Sequence, residues 1–426
     1  MQELIDKSNM KQLTAIILIF ASVLFTACHK DFDHKTILCI PVYGQSLALG
    51  EEAERITDFD SLSVNADGRI VTENLDHNFG YFDNDHKKQW FKKAIGYKKR
   101  AYELSVYKMA QILADQFGKD TLICIFPGGQ GATAIANLSK GTLPYQRFIE
   151  NIQTAFETSQ ERGWDFFIPA ICWMQGESDI VDYPNTVYQN MLTQIWKDMN
   201  DDILRITQQK DSIPFICYQS NSLGRAINFK ADTFLCKETE VPQTFVELLL
   251  DNPHFWASGP TYPYACVNEK IHIDAKGQQS IGALAAETAF KLIKGENRFR
   301  GLIPLRSTIC DNVVKIAFNV PNPPLTLDTI QVSKARLYGF SVINDKNKDI
   351  AQSIDIDNNS VIILCSESPI GCRIRYAVNG DYMKSGNLHG PRGNLRDSNN
   401  HWCYQFDLPS IKIPLSDESE SKELSK

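Results

Sequence analysis

The stretch that most limits how this chain can fold is the largely apolar run from Trp164 to Trp173, broken by Pro169, which opens into Gln175-Gly176-Glu177-Ser178-Asp179. A strand-length apolar run that gives way to polar residues around one glycine is the pattern of a buried parallel strand. Such a strand delivers side chains to a cleft at its C-terminal end. A strand followed by an ordinary polar turn has the same local pattern. Convergence with other strand ends decides between the two.

Three further runs end in the same way. Ile37 to Val42 leads into Tyr43-Gly44-Gln45-Ser46, Thr121 to Phe126 into Pro127-Gly128-Gly129-Gln130-Gly131-Ala132-Thr133, and Ile213 to Tyr218 into Gln219-Ser220-Asn221-Ser222. Between them lie stretches of helical period: Tyr102 to Phe117, Tyr145 to Ser159, Tyr188 to Met199 and Val241 to Leu250, with a last helix from about Gln278 to Ile293. Phe255 begins another short extended piece. Strand and helix in alternation predict an α/β fold, a parallel sheet covered on both faces, with ligands bound outside the C-terminal strand ends. Ser46, Gly131, Gln175 and His272 all fall at or just beyond such ends. The polar segment from Glu51 to Lys99 carries Phe79, Tyr81, Phe82, Trp90 and Phe91 without a sustained period, and reads as an excursion over the sheet edge.

After Arg300 the rhythm changes. Val313 to Val320, Ile330 to Ile343, Val361 to Cys365, Cys372 to Val378 and Cys403 to Leu408 are strand-like and separated by Pro, Asn, Asp and Gly clusters, which predicts a small all-β, sandwich-like domain. The expected organisation is an N-terminal leader over 1–28, an α/β domain over 36–297, a β domain over 301–415 and a charged, disordered tail over 416–426. A chain of 426 residues, 43% hydrophobic and 22% charged, has material for two such domains. Its net charge of −7, with no basic block, argues against nucleic acid as a partner.

Lys11 followed by the apolar stretch Leu13 to Ala27 has the layout of a secretory signal, too short to span a bilayer comfortably. Leu24-Phe25-Thr26-Ala27-Cys28 resembles a bacterial lipobox, although Phe25 stands where a small aliphatic residue is usual. That resemblance implies lipidation at Cys28 and His29 to Asp33 as an acidic surface-export tether; translation from Met10 is expected because the nine residues before it fit no signal-peptide region. The expected location is the bacterial cell envelope, as an outer-membrane lipoprotein that is surface-exposed or periplasmic and meets the membrane only through its lipid. A cleaved secretory signal is the alternative. Of the eleven cysteines, Cys39, Cys124, Cys172 and Cys217 sit inside apolar runs and read as small buried hydrophobes. One or two disulfides among Cys236, Cys266, Cys310, Cys365, Cys372 and Cys403 fit an exported chain. No spacing resembles a zinc site, and neither metal nor cofactor is expected.

Ester hydrolysis at such strand ends needs a nucleophile, a base, a group to orient the base, and donors for the oxyanion. Ser46 is the candidate nucleophile and His272, before the last helix, the candidate base. Glu269, three residues upstream of His272, is the candidate orienter; Asp274 is its rival, better suited to capping the helix. Gly131 offers an unobstructed backbone N–H and Gln175 a side-chain amide. The glycines at 128–131 lack the Gly-Lys-Ser/Thr of a phosphate loop.

Gly44-Gln45-Ser46, Gly129-Gln130-Gly131-Ala132-Thr133, Trp173 to Asp179 and Glu269-Lys270-Ile271-His272 resemble, in order, the blocks of SGNH hydrolases. They are most similar to the branch of sialate O-acetylesterases and acetyl-xylan esterases. The resemblance covers Thr36 to Ile293 and implies a flavodoxin-like three-layer fold, a serine nucleophile and no metal. It also implies oxyanion donors at the Ser46 amide, Gly131 and Gln175, with Ser178 as the alternative because it stands in register with an asparagine of the wider superfamily. Glu177 and Asp179 are expected to hold loops in place. Two positions depart from the family pattern: Glu269 replaces an aspartate, and Ala132 replaces a second glycine. The implied function is removal of O-acetyl groups from glycans such as sialic acid or xylan, with an acetylated carbohydrate as partner. A surface lipoprotein that binds glycans without turnover is the alternative. Carbohydrate binding by the β domain is an expectation by analogy alone.

Overall fold

A computed structural model describes residues 34–58, 68–72, 102–181, 187–220 and 240–410. The leader with Cys28, the aromatics from Phe79 to Phe91, Cys236 and the tail lie outside these residues. Among the described residues, nine short strands build the N-terminal sheet: β1 (Thr36–Cys39), β2 (Val42–Gly44), β3 (Ile70–Val71), β4 (Thr121–Cys124), β5 (Pro127–Gly129), β6 (Asp165–Phe167), β7 (Ile171–Met174), β8 (Phe215–Gln219) and β9 (Phe255–Pro260). All pair in parallel.

Prolines explain why the central strands come in halves. Pro41 and Pro169 have no N–H to give the ladder, so strand geometry lapses there and then resumes. The sheet itself continues across the gaps, through Ile40 N–H to Cys124 O (2.9 Å), Val42 N–H to Phe126 O (3.0 Å) and Cys172 N–H to Pro41 O (2.9 Å). Joined in this way, the order is β3, β4/β5, β1/β2, β6/β7, β8, β9. The first strand lies in the middle and the chain winds outward from it in both directions. A doubly wound sheet of this kind has its ligand crevice where the winding reverses, at the C-terminal end of β2. The sequence expectation of an α/β sheet holds. Ile70–Val71, inside the predicted excursion, adds an edge strand.

The helices are α1 (Ser105–Gln116), α2 (Leu143–Glu161), α3 (Glu177–Val181), α4 (Tyr188–Thr207), α5 (Glu240–Asp251) and α6 (Ala275–Ile293). Each long helix buries one stripe, as in α4 with Tyr188, Leu192, Ile195, Met199 and Ile203. α1 packs on α6, while α2, α4 and α5 form a separate group, giving a layer on each face of the sheet. Gly282 allows the α1–α6 approach, since a Cβ there would lie 2.0 Å from Ser105 O. Cys39, Cys124, Cys172 and Cys217 are buried free thiols within this core, and the described cysteines are all unpaired.

The C-terminal region is antiparallel. One sheet has the order β10 (Ile303–Cys310), β11 (Val313–Asn319), β15 (Ser360–Cys365), β14 (Ala351–Asp357), and a second has β13 (Phe340–Ile343), β16 (Arg373–Tyr376), β18 (Phe406–Pro409). β12 (Thr326–Leu327) and β17 (Leu395–Arg396) form a small ribbon. β10 and β14 were not expected as strands, whereas most of the predicted strand from Ile330 is irregular. Leu337 and Tyr338 there take left-handed φ of 45° and 55°, which no strand accommodates.

This region is sealed onto the first. Gln219 donates to Gln405 O (2.8 Å) and accepts from Gln405 N–H (2.7 Å), and the Tyr262 hydroxyl donates to Cys403 O (2.8 Å). His401, 3% exposed, joins Asp397 (2.9 Å) to Glu287 on α6 (3.0 Å). Burial alone would lower the imidazole's pKa, but these two carboxylates outweigh it and hold the pKa up at about 9. Apolar side chains from both regions belong to one continuous core.

Candidate active site

β2 ends where three strands crowd together. A Cβ on Gly44 would lie 1.9 Å from Met174 O, and one on Gly129, whose φ is +111°, would lie 1.8 Å from Gly44 O. Only glycines let these strand ends close up, and Ser46 emerges from that junction. The chain then coils tightly: Leu49 N–H bonds Gln45 O (3.2 Å), Glu51 N–H bonds Ser46 O (3.0 Å) and Ala53 N–H bonds Gly50 O (3.0 Å). Gly50 and Glu52 both take left-handed φ of 64°, which turns the Glu52 side chain back toward the serine.

His272 arrives from the far end of the sequence. Its Nε2 lies 2.8 Å from Ser46 Oγ and its Nδ1 2.8 Å from Glu52 Oε2. An imidazole that donates Nδ1–H to Glu52 can accept the Ser46 proton at Nε2, which is the layout of a nucleophile, base and orienting acid. Ser46 is 3% exposed, while the Glu52 side chain is 51% exposed. Glu51, next to it, is half-buried, and a Cβ on Gly131 would meet its Oε1 at 2.2 Å. Burial pushes the Glu51 carboxyl up, with His272 pulling it down and Glu52 adding to the rise.

Glu269 does not take the orienting place. Asn268 and Glu269 sit in a tight turn with left-handed φ of 53° and 56°, which aims Glu269 away from the imidazole. Its carboxylate bonds Lys384 and His389 of the C-terminal region, and those hydrogen bonds hold its pKa low. Asp274 caps α6, accepting Gly277 N–H at 2.7 Å. Sequence reasoning missed Glu52. The available signal was a carboxylate pair, Glu51-Glu52, one short coil after the serine.

Gln175 is also placed differently from its expected role. It is fully buried; its Nε2 donates to Thr133 O (3.2 Å) and Asp179 Oδ2 (2.5 Å), and its Oε1 accepts from the Tyr188 hydroxyl (2.8 Å). With both donors committed, it braces the Thr133 loop and has no N–H to offer an oxyanion. The Ser178 N–H is taken up by Gln45 Oε1 (3.2 Å) and the residue is 4% exposed. Asp179 Oδ2 also accepts Ile135 N–H (3.0 Å). Glu177 accepts the Tyr218 hydroxyl at 2.6 Å. Its burial raises the carboxyl to about 7, against the lowering effect of that hydrogen bond. The Gln175–Asp179 block is therefore a buried wall tying the strand ends together. The Ser46 and Gly131 amides, by contrast, have no acceptor among the described residues. Ala132, where the family pattern has glycine, is held at φ 49°.

A cavity of about 590 Å³ opens beside the imidazole. It is lined by Glu52, Asn268, Lys270, Ile271 and His272 together with Met383, Lys384 and Ser385 of the C-terminal region. Other depressions, beside Glu287 and Arg298 and beside Trp196 and Lys197, are not lined by His272. Among the described residues, no helix is long and apolar enough to cross a membrane.

In comparisons with known proteins, a family model described as carbohydrate esterase, sialic acid-specific acetylesterase matches residues 104–291. That span includes His272 and starts after Ser46 and Glu52. None of the curated proteins matches in sequence. Among solved structures the chain is similar to XAC1771, a carbohydrate acetylesterase from Xanthomonas citri, with a TM-score of 0.59 and 15% identity over 87% of this chain and 80% of that one. It is also matched to NanS (TM-score 0.43, 13% identity, 62% of this chain and 99% of that one). A protein from Arabidopsis thaliana has a TM-score of 0.40 and 16% identity, over 59% of this chain and 98% of that one. At these identities the likeness to XAC1771 is one of fold, the α/β architecture of SGNH-like hydrolases with antiparallel sheets after it. The matched span supplies strands β4 to β9 and the histidine of the site, and over residues 104–291 the chain matches the model of the carbohydrate esterase, sialic acid-specific acetylesterase family.

Proposed function

We propose that the protein is a serine carbohydrate esterase that removes O-acetyl groups from a glycan such as an acetylated sialic acid or xylan. The observation that carries this reading is the hydrogen-bonded chain Ser46 Oγ, His272 Nε2, His272 Nδ1, Glu52 Oε2, with both links at 2.8 Å. Ser46 Oγ attacks the acetyl carbonyl while its proton passes to His272 Nε2. The bond from the carbonyl carbon to the sugar oxygen breaks, and His272 returns the proton to that oxygen. Water then attacks the acetyl-serine, His272 again takes and returns a proton, and acetate leaves. Glu52 keeps the imidazole in the tautomer that accepts at Nε2. The Ser46 and Gly131 amides are the donors left for the oxyanion.

A fluorophosphonate probe tests the nucleophile directly: it should label the wild type and not Ser46→Ala. Equal labelling of the two proteins would remove Ser46 from the mechanism. Acetate release from O-acetylated glycans, lost in His272→Ala, separates turnover from the glycan-binding alternative, which the intact serine–histidine–glutamate chain argues against. On the sequence pattern at Leu13 to Cys28, the protein is exported and anchored through a lipid on Cys28. Metabolic labelling with a radioactive fatty acid should be lost in Cys28→Ala, and retention of label would sink the anchor.

A further inference from the structure

Part of the cavity wall beside His272, at Met383, Lys384 and Ser385, comes from the C-terminal β region. The segment 381–389, between β16 and β17, leaves its own sheet and lies on the turn that precedes the histidine. Ser385 N–H bonds Glu269 O (2.9 Å), Asn387 N–H bonds Tyr264 O (3.2 Å), and the Glu269 carboxylate is held by Lys384 and His389. Gly386, at φ +87°, fits against Cys266, since a Cβ there would lie 3.0 Å from Cys266 N. This clasp brings Met383, at left-handed φ of 58° and 37% exposed, to the cavity that Glu52, Lys270 and His272 also line.

The cavity's size says what the wall is for. At about 590 Å³ it lies within the range of roughly 300–1,000 Å³ that holds a ligand of many atoms, far beyond the needs of an acetyl group. The remaining space must take the alcohol half of the ester. A thioether that projects into that space is a soft, polarizable surface suited to the C–H face of a sugar ring.

We infer that Met383 is a specificity-determining contact for the sugar bearing the acetyl group, and that Glu269 is a positioning residue that holds the 381–389 segment over it. This rests on the proposed esterase reading and extends it to the β region. The test uses the full-length chain and two substrates, 4-nitrophenyl acetate and an acetylated xylo-oligosaccharide, with wild type, Met383→Ala and Glu269→Gln. Both variants should lower the ratio of kcat/KM for oligosaccharide over aryl ester by roughly tenfold or more, mainly through KM for the oligosaccharide. Binding of the same oligosaccharide to Ser46→Ala should weaken by a similar factor when Met383→Ala is added. A ratio within about twofold of wild type in folded variants, together with unchanged binding, overturns the inference. Glu269→Gln lowering kcat on both substrates alike overturns the positioning role. A wild type inert toward both esters would instead overturn the esterase reading and this inference with it.

Discussion

Replacing Glu52 by glutamine should slow turnover by much less than removal of a buried triad acid would, and the geometry says by how much. A carboxylate 2.8 Å from the Nδ1 of an imidazolium stabilises it by about 1.5 kcal/mol at the dielectric of water, and by about 6 kcal/mol at the value of about 20 that suits sites near a protein surface. Half of the Glu52 side chain faces solvent, which places the effective figure toward the lower end, at about 2–3 kcal/mol. That corresponds to roughly a 30- to 150-fold fall in kcat. Loss of a fully buried triad aspartate costs about 10⁴-fold. The assay is steady-state hydrolysis of 4-nitrophenyl acetate by Glu52→Gln and Glu269→Gln side by side, with melting temperatures to establish folding. Glu52→Gln should show the larger loss in kcat. If it stays within about twofold of wild type while Glu269→Gln collapses, the assignment of the two glutamates is reversed and the left-handed turn at Glu52 has no catalytic meaning.

Two further outcomes follow from buried polar groups away from the nucleophile. Gln175→Leu removes the donor that Thr133 O and Asp179 Oδ2 share, so it should lower stability by about 1–3 kcal/mol in urea unfolding, in contrast to an oxyanion donor, whose loss would leave stability intact and lower kcat. His401 has a folded-state pKa raised above its unfolded value, so its contribution is fully present below pH 6.5 and fades as pH rises toward about 9. The melting temperature should fall across that window in wild type and fall less in His401→Gln; parallel curves would show that His401 is not the group responsible.

What was legible in the sequence is what depends on local pattern. The strand ends could be read because each apolar run stops at glycine and polar residues, and the order of those ends fixed the crevice at Ser46 and His272. Glu52 was not legible, because its role depends on a left-handed residue after Gly50, and no propensity marks a glutamate for that conformation. Glu269 looked right by spacing from His272, but its turn aims it at Lys384, more than a hundred residues later in the chain. Gln175 was misread for a related reason. Polar residues beside a glycine suggest a cleft, and only the packing of Tyr188 across β7 shows that this amide is enclosed. In the β region, β10 and β14 lie at the edges of their sheet with exposed residues along them, and alternation at an edge is a weak signal.

The reciprocal pair between Gln219 and Gln405 has an implication for how such a protein can be rebuilt. The Gln219 side-chain amide and the Gln405 backbone satisfy each other inside a shared core, so neither region has a finished surface at the seam. Cutting the chain near Arg300 would break the bonds from Gln219 and Tyr262 to Gln405 and Cys403 and expose the apolar side chains that the two regions now bury together. Modular exchange, in which a hydrolase swaps its accessory β module for another, is therefore closed to this chain. The two regions form one structural part with a shared core.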